Sequence, residues 1–148
     1  MNKLPQLNFK KFNFRFKKSP SDAPLIFDAV RKKWLVLTPE EWVRQNLIRH
    51  LIEVERYPEE MFKIETGLSV NQNQRRSDIL IYKDFSPHIL IECKSMNISI
   101  NEKVLNQALN YNLRYKAPLI ILSNGFEHFS FKVLEDRLER LEDFPVYK

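Results

Sequence analysis

Apolar residues recur at helical spacing in two segments of the chain. This spacing predicts a first helix over about residues 38–56 and a second over about residues 102–115. Thr38 is a good N-cap, Pro39 suits the first helical position, and Glu41 completes a capping-box pattern three residues after the cap. The start of the first helix is therefore the best defined boundary in the sequence.

Alternating or continuous apolar runs predict the strands between and around these helices. The predicted strands cover residues 12–17, 25–27, 34–37, 63–66, 78–82, 88–94, 119–122 and 129–133. We expect strand 129–133 at the edge of the sheet and a charged helix over about residues 134–141. Helix, three strands, helix and two strands in this order predict an α/β layered domain with a mixed central sheet flanked by helices.

The first 37 residues differ from the rest of the chain in charge. The whole chain carries +5, residues 1–37 carry +7, and residues 38–148 carry −2. Residues 25–37 are predicted to form a β-hairpin with a basic tip, so we divide the chain into a basic extension (1–37) and a main domain (38–148). Such a local excess of Lys and Arg favours a polyanionic partner, although a solvated arm that aids solubility is an equal alternative.

Composition excludes several classes of function. The chain has only two glycines, Gly67 and Gly125, so it lacks the Gly-rich loops that bind nucleotides in ATPases and dinucleotide enzymes. One cysteine, Cys93, excludes an intrachain disulfide and a cysteine-rich zinc site and is typical of a reducing compartment. Because no run of about 18–20 apolar residues occurs, we expect no membrane association and a cytoplasmic protein.

Acidic and basic side chains interrupt two neighbouring apolar strands. If strands 78–82 and 88–94 pair as a hairpin centred on Phe85, opposed residue numbers sum to about 170, and Asp78 faces Glu92. Lys94 lies two residues after Glu92 and therefore on the same face, whereas Cys93 points to the other face as a small buried apolar residue. Two carboxylates and one ammonium are thus predicted to meet at one end of the hairpin.

Opposed carboxylates repel each other, and a divalent cation resolves this conflict. Mg²⁺ prefers carboxylate oxygens, and Asp78 and Glu92 are the predicted ligands. The metal would activate a water for phosphodiester hydrolysis, and Lys94 would stabilise the developing negative charge. The alternative is structural, with Asp78 ending a turn and Glu92 and Lys94 forming a surface ion pair.

Asp78 together with Glu92-Cys93-Lys94 resembles the signature of the PD-(D/E)XK nuclease superfamily, with Ser77-Asp78 in place of the usual Pro-Asp pair. The similarity extends over about residues 38–131 to the N-terminal nuclease domain of type I restriction enzyme R subunits. It rests on the segments Thr38–Gln45, Arg75–Ile79, Ile91–Lys94, Asn106–Asn112 and Leu122–Gly125. The resemblance implies a restriction-endonuclease-like core, without the R-subunit motor that the glycine count excludes from this chain.

The resemblance implies further site residues. A glutamate of the first helix often joins the metal site, which indicates Glu41 or, less surely, Glu40, while capping is an equal explanation for Glu41. Gln107 and Tyr111 match a Gln-x-x-x-Tyr motif and share one helix face, with an ordinary surface face as the alternative. Candidate nucleic-acid contacts outside the catalytic set are Arg75, Arg76, Lys17 and Lys32, and Arg75 and Arg76 are nearly as well explained by solvation.

We therefore predict a Mg²⁺-dependent DNA nuclease, with Mn²⁺ as a substitute metal. DNA is the expected partner, with a helicase or methylase as a further partner and a homodimer for double-strand scission. The alternative is a non-catalytic DNA- or protein-binding module with a nuclease-like fold.

Overall fold

The computed structural model describes residues 4–64 and 79–148. Three short strands come first: β1 (Phe16–Lys18), β2 (Pro24–Asp28) and β3 (Lys33–Val36). In its described part, the main domain contains two helices, α1 (Pro39–Glu53) and α2 (Glu102–Tyr115), and a 3-10 turn at Glu59–Met61. Its strands are β4 (Phe62–Ile64), β5 (Ile79–Lys83), β6 (Ser86–Cys93), β7 (Leu119–Ser123), β8 (His128–Val133) and β9 (Leu138–Leu141).

The six strands of the main domain form one sheet in the order β4-β5-β6-β7-β8-β9. Among the strands that the structure describes in this sheet, only β6 and β7 pair in parallel, and α2 is the crossover between them. The other neighbouring strands pair antiparallel. The mixed sheet predicted from the sequence is therefore confirmed.

The two helices cover opposite faces of this sheet. On one face, apolar residues of α1 such as Leu47 and Leu51 pack against Ile79, Ile91 and other inward residues of the central strands. On the other face, Val104 and Ala108 of α2 pack against a second buried cluster that includes Leu90, Ile120 and Leu122. This helix–sheet–helix layering confirms the predicted α/β class. In residues 4–64 and 79–148, neither helix has the length and the apolar character needed to span a bilayer.

The start of α1 follows the predicted cap. The Thr38 hydroxyl accepts a hydrogen bond from the Glu41 amide at 3.0 Å, and Pro39 occupies the first turn. The Glu41 carboxylate contacts Arg44 and Gln45 within the same helix. The helix ends at Glu53, a few residues before the predicted end near residue 56.

The basic extension forms a small antiparallel sheet in the order β1-β2-β3. The predicted hairpin is confirmed as β2 and β3, and β1 adds a third strand. The strand predicted over residues 12–17 is short and begins only at Phe16. Upstream of it, Phe14 packs edge-on against Trp42 of α1 with ring centroids 5.3 Å apart, so the Phe14 side chain faces the helix.

The C-terminal helix predicted over residues 134–141 is wrong. A turn closed by the Leu134 amide and the Arg137 carbonyl leads into β9, which pairs with β8. Strand β8 is therefore an inner strand, and the prediction that it lies at the sheet edge is also wrong. The apolar spacing of this short segment suits a helix, but pairing satisfies the open backbone groups of β8, and tertiary context overrides the local preference.

Candidate active site

The hairpin of β5 and β6 has the predicted register. Ile79 pairs with Ile91 and Leu80 with Leu90, which are pairs whose numbers sum to 170. A bulge after Ile81 shifts the register by one residue toward the hairpin tip. Asp78, the predicted partner of Glu92, lies outside the described residues, as do Arg75 and Arg76. The pairing of Asp78 with Glu92 therefore stays a prediction that extends a confirmed register by one residue.

Glu92 is a buried carboxylate near the end of β6. It is 6% exposed and pairs with Leu122 of the parallel strand β7. Leu90, two residues earlier, belongs to the cluster under α2, so strand alternation places Glu92 on the α2 face. Cys93 is fully buried in the cluster under α1, which confirms its prediction as a small buried apolar residue.

Lys94 follows the end of β6 and is held there by its backbone. Its amide donates to the Ser123 carbonyl at 2.8 Å, which continues the pairing of β6 with β7 by one residue. Its ammonium lies 3.7 Å from Glu92 Oε1, an ion-pair distance that exceeds hydrogen-bond length. The Lys94 side chain is 24% exposed against 8% for Glu92. The Lys94 side chain therefore lies between the buried Glu92 carboxylate and solvent.

An open cleft of about 370 Å³ lies beside this ion pair. Lys94 lines it from the end of β6, and Gln107 lines it from α2. The structure therefore places Lys94 and Gln107 on the same cleft, although they belong to two different sequence motifs. Tyr111, one turn later on α2, is half-buried and packs against the apolar cluster on the same face of the sheet.

The first-helix glutamates occupy different environments. The buried Glu41 carboxylate lies 2.7 Å from Arg44 Nη1 and accepts a hydrogen bond from the Gln45 amide at 3.0 Å. Glu40 has a side chain that is 46% exposed and lies 3.6 Å from Arg44 Nη2. The backbone amide of residue 41 donates to the Thr38 cap, as any residue at this position could, while the Glu41 carboxylate contacts Arg44 and Gln45. A role of Glu41 at a metal stays a prediction. To bind a metal, the Glu41 carboxylate would have to share or give up its contacts with Arg44 and Gln45.

The turn after β7 holds the loop that follows Lys94. Asn124 donates from Nδ2 to the Ile98 carbonyl at 2.8 Å, while its Oδ1 accepts from the amides of Phe126 and Glu127. Gly125 has φ +92°, and a Cβ there would lie 2.9 Å from Leu7 Cδ2. The sequence indicates these residues only through the resemblance, and the structure shows that Asn124 fixes the turn after β7 to the loop that follows Lys94.

A serine and a histidine meet at the same end of the sheet without forming a nucleophile. Ser123 Oγ lies 2.8 Å from His128 Nδ1, and His128 Nε2 lies 2.9 Å from the Asn8 carbonyl. The network assigns the ring proton to Nε2, because only a donor there satisfies a carbonyl. Desolvation by burial lowers the pKa of His128 below its ordinary value, so the ring is held neutral. Ser123 is fully buried, which leaves no access for a substrate.

The two predicted basic contacts of the extension lie in its small sheet. Lys17 of β1 places its ammonium 4.4 Å from the centroid of the Trp34 ring. Lys32 lies in the β2–β3 turn with its ammonium 3.6 Å from Glu59 Oε1, and both side chains are exposed. Sequence reasoning missed Trp34 and Arg15 as neighbours of Lys17, because that arrangement depends on how β1 pairs with β2.

The described residues supply part of the predicted metal site. Across residues 4–64 and 79–148, no three His, Cys, Asp or Glu side chains lie close enough together to hold a metal. Of the two predicted ligands, Glu92 falls within these ranges and offers a buried carboxylate of the kind that Mg²⁺ binds. The donor chemistry of Glu92 therefore fits a hard divalent cation.

Comparison with known proteins places the chain in a family. The family model described as the type I restriction enzyme R protein N terminus matches residues 39–145. The chain matches no curated protein and no solved structure to a significant level. The family match spans α1, the central sheet and α2, and it confirms the resemblance seen in the sequence. The chain therefore belongs to the family of the type I restriction enzyme R protein N terminus.

Proposed function

We propose that this protein is a metal-dependent nuclease that hydrolyses DNA phosphodiester bonds. The observation that carries the proposal is the Glu92–Lys94 ion pair at the end of β6, beside the cleft that Gln107 also lines. Family membership supports a restriction-related context and a nuclease-type domain. A buried carboxylate next to a partly exposed ammonium suits a site where a phosphate and a cation must be bound together.

In this proposal Glu92 and Asp78 would hold Mg²⁺, or Mn²⁺ in its place. Bound there, the metal would polarise the phosphodiester and lower the pKa of a coordinated water. The protein keeps the Glu92 carboxylate buried and fixed in a paired strand, so little reorganisation accompanies binding. The register of β5 and β6 supports Asp78 as the opposing ligand, because the adjacent pair Ile79 and Ile91 already follows it.

Lys94 is the residue that we assign to charge stabilisation. Its ammonium lies at the border between the buried carboxylate and the open cleft. A scissile phosphate in the cleft would receive positive charge from Lys94 as negative charge develops on its oxygens. Gln107, on the same cleft, has the donor and acceptor needed to orient the strand or to brace the lysine.

The other predicted residues would position the catalytic groups or bind the DNA backbone. We propose Tyr111 and Glu41 as positioning residues on α2 and α1, and Arg75 and Arg76 as phosphate contacts preceding Asp78. Lys17 and Lys32 would bind phosphates further along the DNA. We also propose that a homodimer cuts both strands, because one site cuts one strand, and that a helicase or methylase acts with the protein.

The test compares two lysines that line the same cleft. Lys94 and Lys103 both contribute to it, but Lys94 is the lysine that pairs with Glu92, whereas Lys103 lies on the exposed surface of α2. Purified wild type, Lys94→Ala and Lys103→Ala are incubated with plasmid and single-stranded DNA in Mg²⁺, in Mn²⁺ and in EDTA. We expect metal-dependent cleavage by wild type and Lys103→Ala, and a loss of at least about 100-fold in Lys94→Ala.

Two results would contradict the proposal. Equal cleavage by the two variants would show that Lys94 has no special role. Absence of metal-dependent cleavage on every DNA, with DNA binding retained, would instead establish a binding module with a nuclease-like fold.

A further inference from the structure

The small sheet formed by β1, β2 and β3 has one buried face and one open face. Ile26 and Asp28 of β2 are fully buried, so their side of the sheet faces the protein. Successive residues of a strand point to opposite sides. Leu25 and Phe27 therefore lie on the side that faces solvent. We call this side the outer face.

Pairing arranges the outer face in two rows across the strands. In the first row, the Arg15 carbonyl accepts from the Phe27 amide at 3.0 Å, and Phe27 pairs with Trp34. The second row joins three residues that are paired in register: Lys17, Leu25 and Val36. The outer face thus consists of Arg15, Lys17, Leu25, Phe27, Trp34 and Val36.

Two cations lie over the aromatic rings of this face. The Arg15 guanidinium carbon is 4.6 Å from the Phe27 centroid and 5.4 Å from the Trp34 centroid, and the Lys17 ammonium is 4.4 Å from the Trp34 centroid. These cation–π contacts hold both charges above an apolar platform. Val36 extends the platform and is 58% exposed.

The charge of the outer face is not compensated by its own sheet. Residues 1–37 contain only two acids, Asp22 and Asp28. Asp22 pairs with Lys18 at 3.3 Å, and the buried Asp28 pairs with Arg31 at 2.6 Å on the other face. Arg15 and Lys17 therefore present positive charge beside the half-buried rings of Phe27 and Trp34. A ligand that complements both must carry negative charge and planar apolar groups.

We propose that the outer face binds an unpaired strand of DNA, with a base stacked on Trp34 and phosphates contacted by Arg15 and Lys17. In a duplex the faces of the bases are covered by their neighbours, so only an unpaired base offers a surface to Trp34. Base stacking on an aromatic ring is stronger than an exposed cation–π contact. Lys17 would therefore leave the ring for a phosphate when a base arrives.

This inference uses the proposed nuclease function only for the choice of DNA as the partner. An unpaired strand on the outer face would be held at a place distinct from the Glu92–Lys94 cleft, which α2 and the end of β6 form. The inference therefore specifies a strand-binding surface that a nuclease acting on unwound or gapped DNA would need.

The two tryptophans of the chain make the test specific. Trp42 lies on α1, where its indole donates to the Pro5 carbonyl at 3.0 Å, away from the outer face. Trp42→Phe leaves Trp34 as the fluorophore, and Trp34→Phe leaves Trp42. Each variant is titrated with an oligothymidine of about 20 nucleotides in EDTA, so that no cleavage occurs. We expect strong fluorescence quenching in Trp42→Phe and little in Trp34→Phe.

The affinity for oligothymidine and its salt dependence separate the contribution of base stacking from that of charge. Trp34→Ala should weaken oligothymidine binding about 5- to 150-fold, the range expected for one stacked base. Arg15→Gln and Lys17→Gln should each lower the slope of log K against log salt by about 0.7. Lys18→Gln is the matched control, because Lys18 pairs with Asp22, and we expect its slope to change less.

Circular dichroism and urea unfolding of Trp34→Ala check that the variant folds. Unchanged oligothymidine affinity in a folded Trp34→Ala, or tighter binding to a duplex of equal length, would overturn the inference. Loss of cleavage with Trp34-dependent quenching intact would contradict the proposed nuclease and leave this inference standing.

Discussion

Asn112 connects the end of α2 with the start of β7 through two hydrogen bonds. Its Nδ2 donates to the Ala117 carbonyl and its Oδ1 accepts from the Ala117 amide, both at 2.9 Å. Between them the chain turns through Lys116, which is left-handed at φ +54°. The Asn112 side chain thus closes the turn that leads from the helix bearing Gln107 and Tyr111 into the central sheet.

Asn112→Ala removes both bonds and leaves the amide and carbonyl of Ala117 without these partners. Asn112 is 6% exposed and Ala117 is 1% exposed, so water reaches these groups poorly. An unsatisfied buried polar group costs about 1–3 kcal/mol, and alanine regains about 0.6 kcal/mol through its higher helix propensity. Two such groups cost about 2–6 kcal/mol, so we expect the free energy of unfolding to fall by about 1.5–5.5 kcal/mol.

Urea unfolding measures this change. With a slope of about 2 kcal/mol per molar urea, the midpoint should fall by roughly 0.7–2.7 M. Asn110→Ala on the exposed side of the same helix is the control, since it gains the same propensity and loses no buried bond. We expect a small increase in its stability. A midpoint for Asn112→Ala within about 0.3 M of wild type would show that these two hydrogen bonds contribute little to stability.

Three further predictions concern the stability of other turns and of a buried ring. Gly125→Ala should lower the free energy of unfolding by about 2–3 kcal/mol, because φ is +92° and its Cβ would press on Leu7; thermal unfolding measures this. Phe85→Gly should raise the free energy of unfolding by about 1 kcal/mol, because Phe85 has φ +65°, a conformation that glycine adopts without strain, and its fully exposed side chain makes no packing contact to lose. An unchanged midpoint in urea unfolding would contradict this. Burial lowers the pKa of His128 in the folded state, so the unfolded chain binds the proton more tightly, and stability should be lost as the pH falls below about 6.5. Urea unfolding midpoints measured between pH 8 and pH 5 should show this loss of stability. The loss should be smaller in His128→Asn.

The elements that sequence predicted best are those whose signals are local. The cap at Thr38 and the start of α1 need only a few neighbouring residues, and the β5–β6 register follows from one tight turn and a period of two. The same turn uses Asp84 and Phe85, both with positive φ, as a two-residue hairpin turn requires. The position of Glu92 and Lys94 on one face therefore follows from strand alternation alone.

Features that depend on tertiary pairing could not be derived in this way. The segment of residues 134–141 has helical spacing, yet β8 offers an unpaired edge that recruits it as β9. The outer face joins Arg15 to Trp34 across three strands, and the link depends on how β1 pairs with β2. The shared cleft of Lys94 and Gln107 likewise requires the packing of α2 on β6.

We propose above that Glu92 belongs to a metal-dependent nuclease site. The most direct test of this claim is cleavage of single-stranded and plasmid DNA by wild type and Glu92→Gln, each titrated with Mg²⁺ and Mn²⁺. Glutamine keeps the shape of the side chain and removes the charge that binds a hard cation. We predict metal-dependent cleavage by wild type and none by a folded Glu92→Gln; equal cleavage by both proteins would contradict the claim.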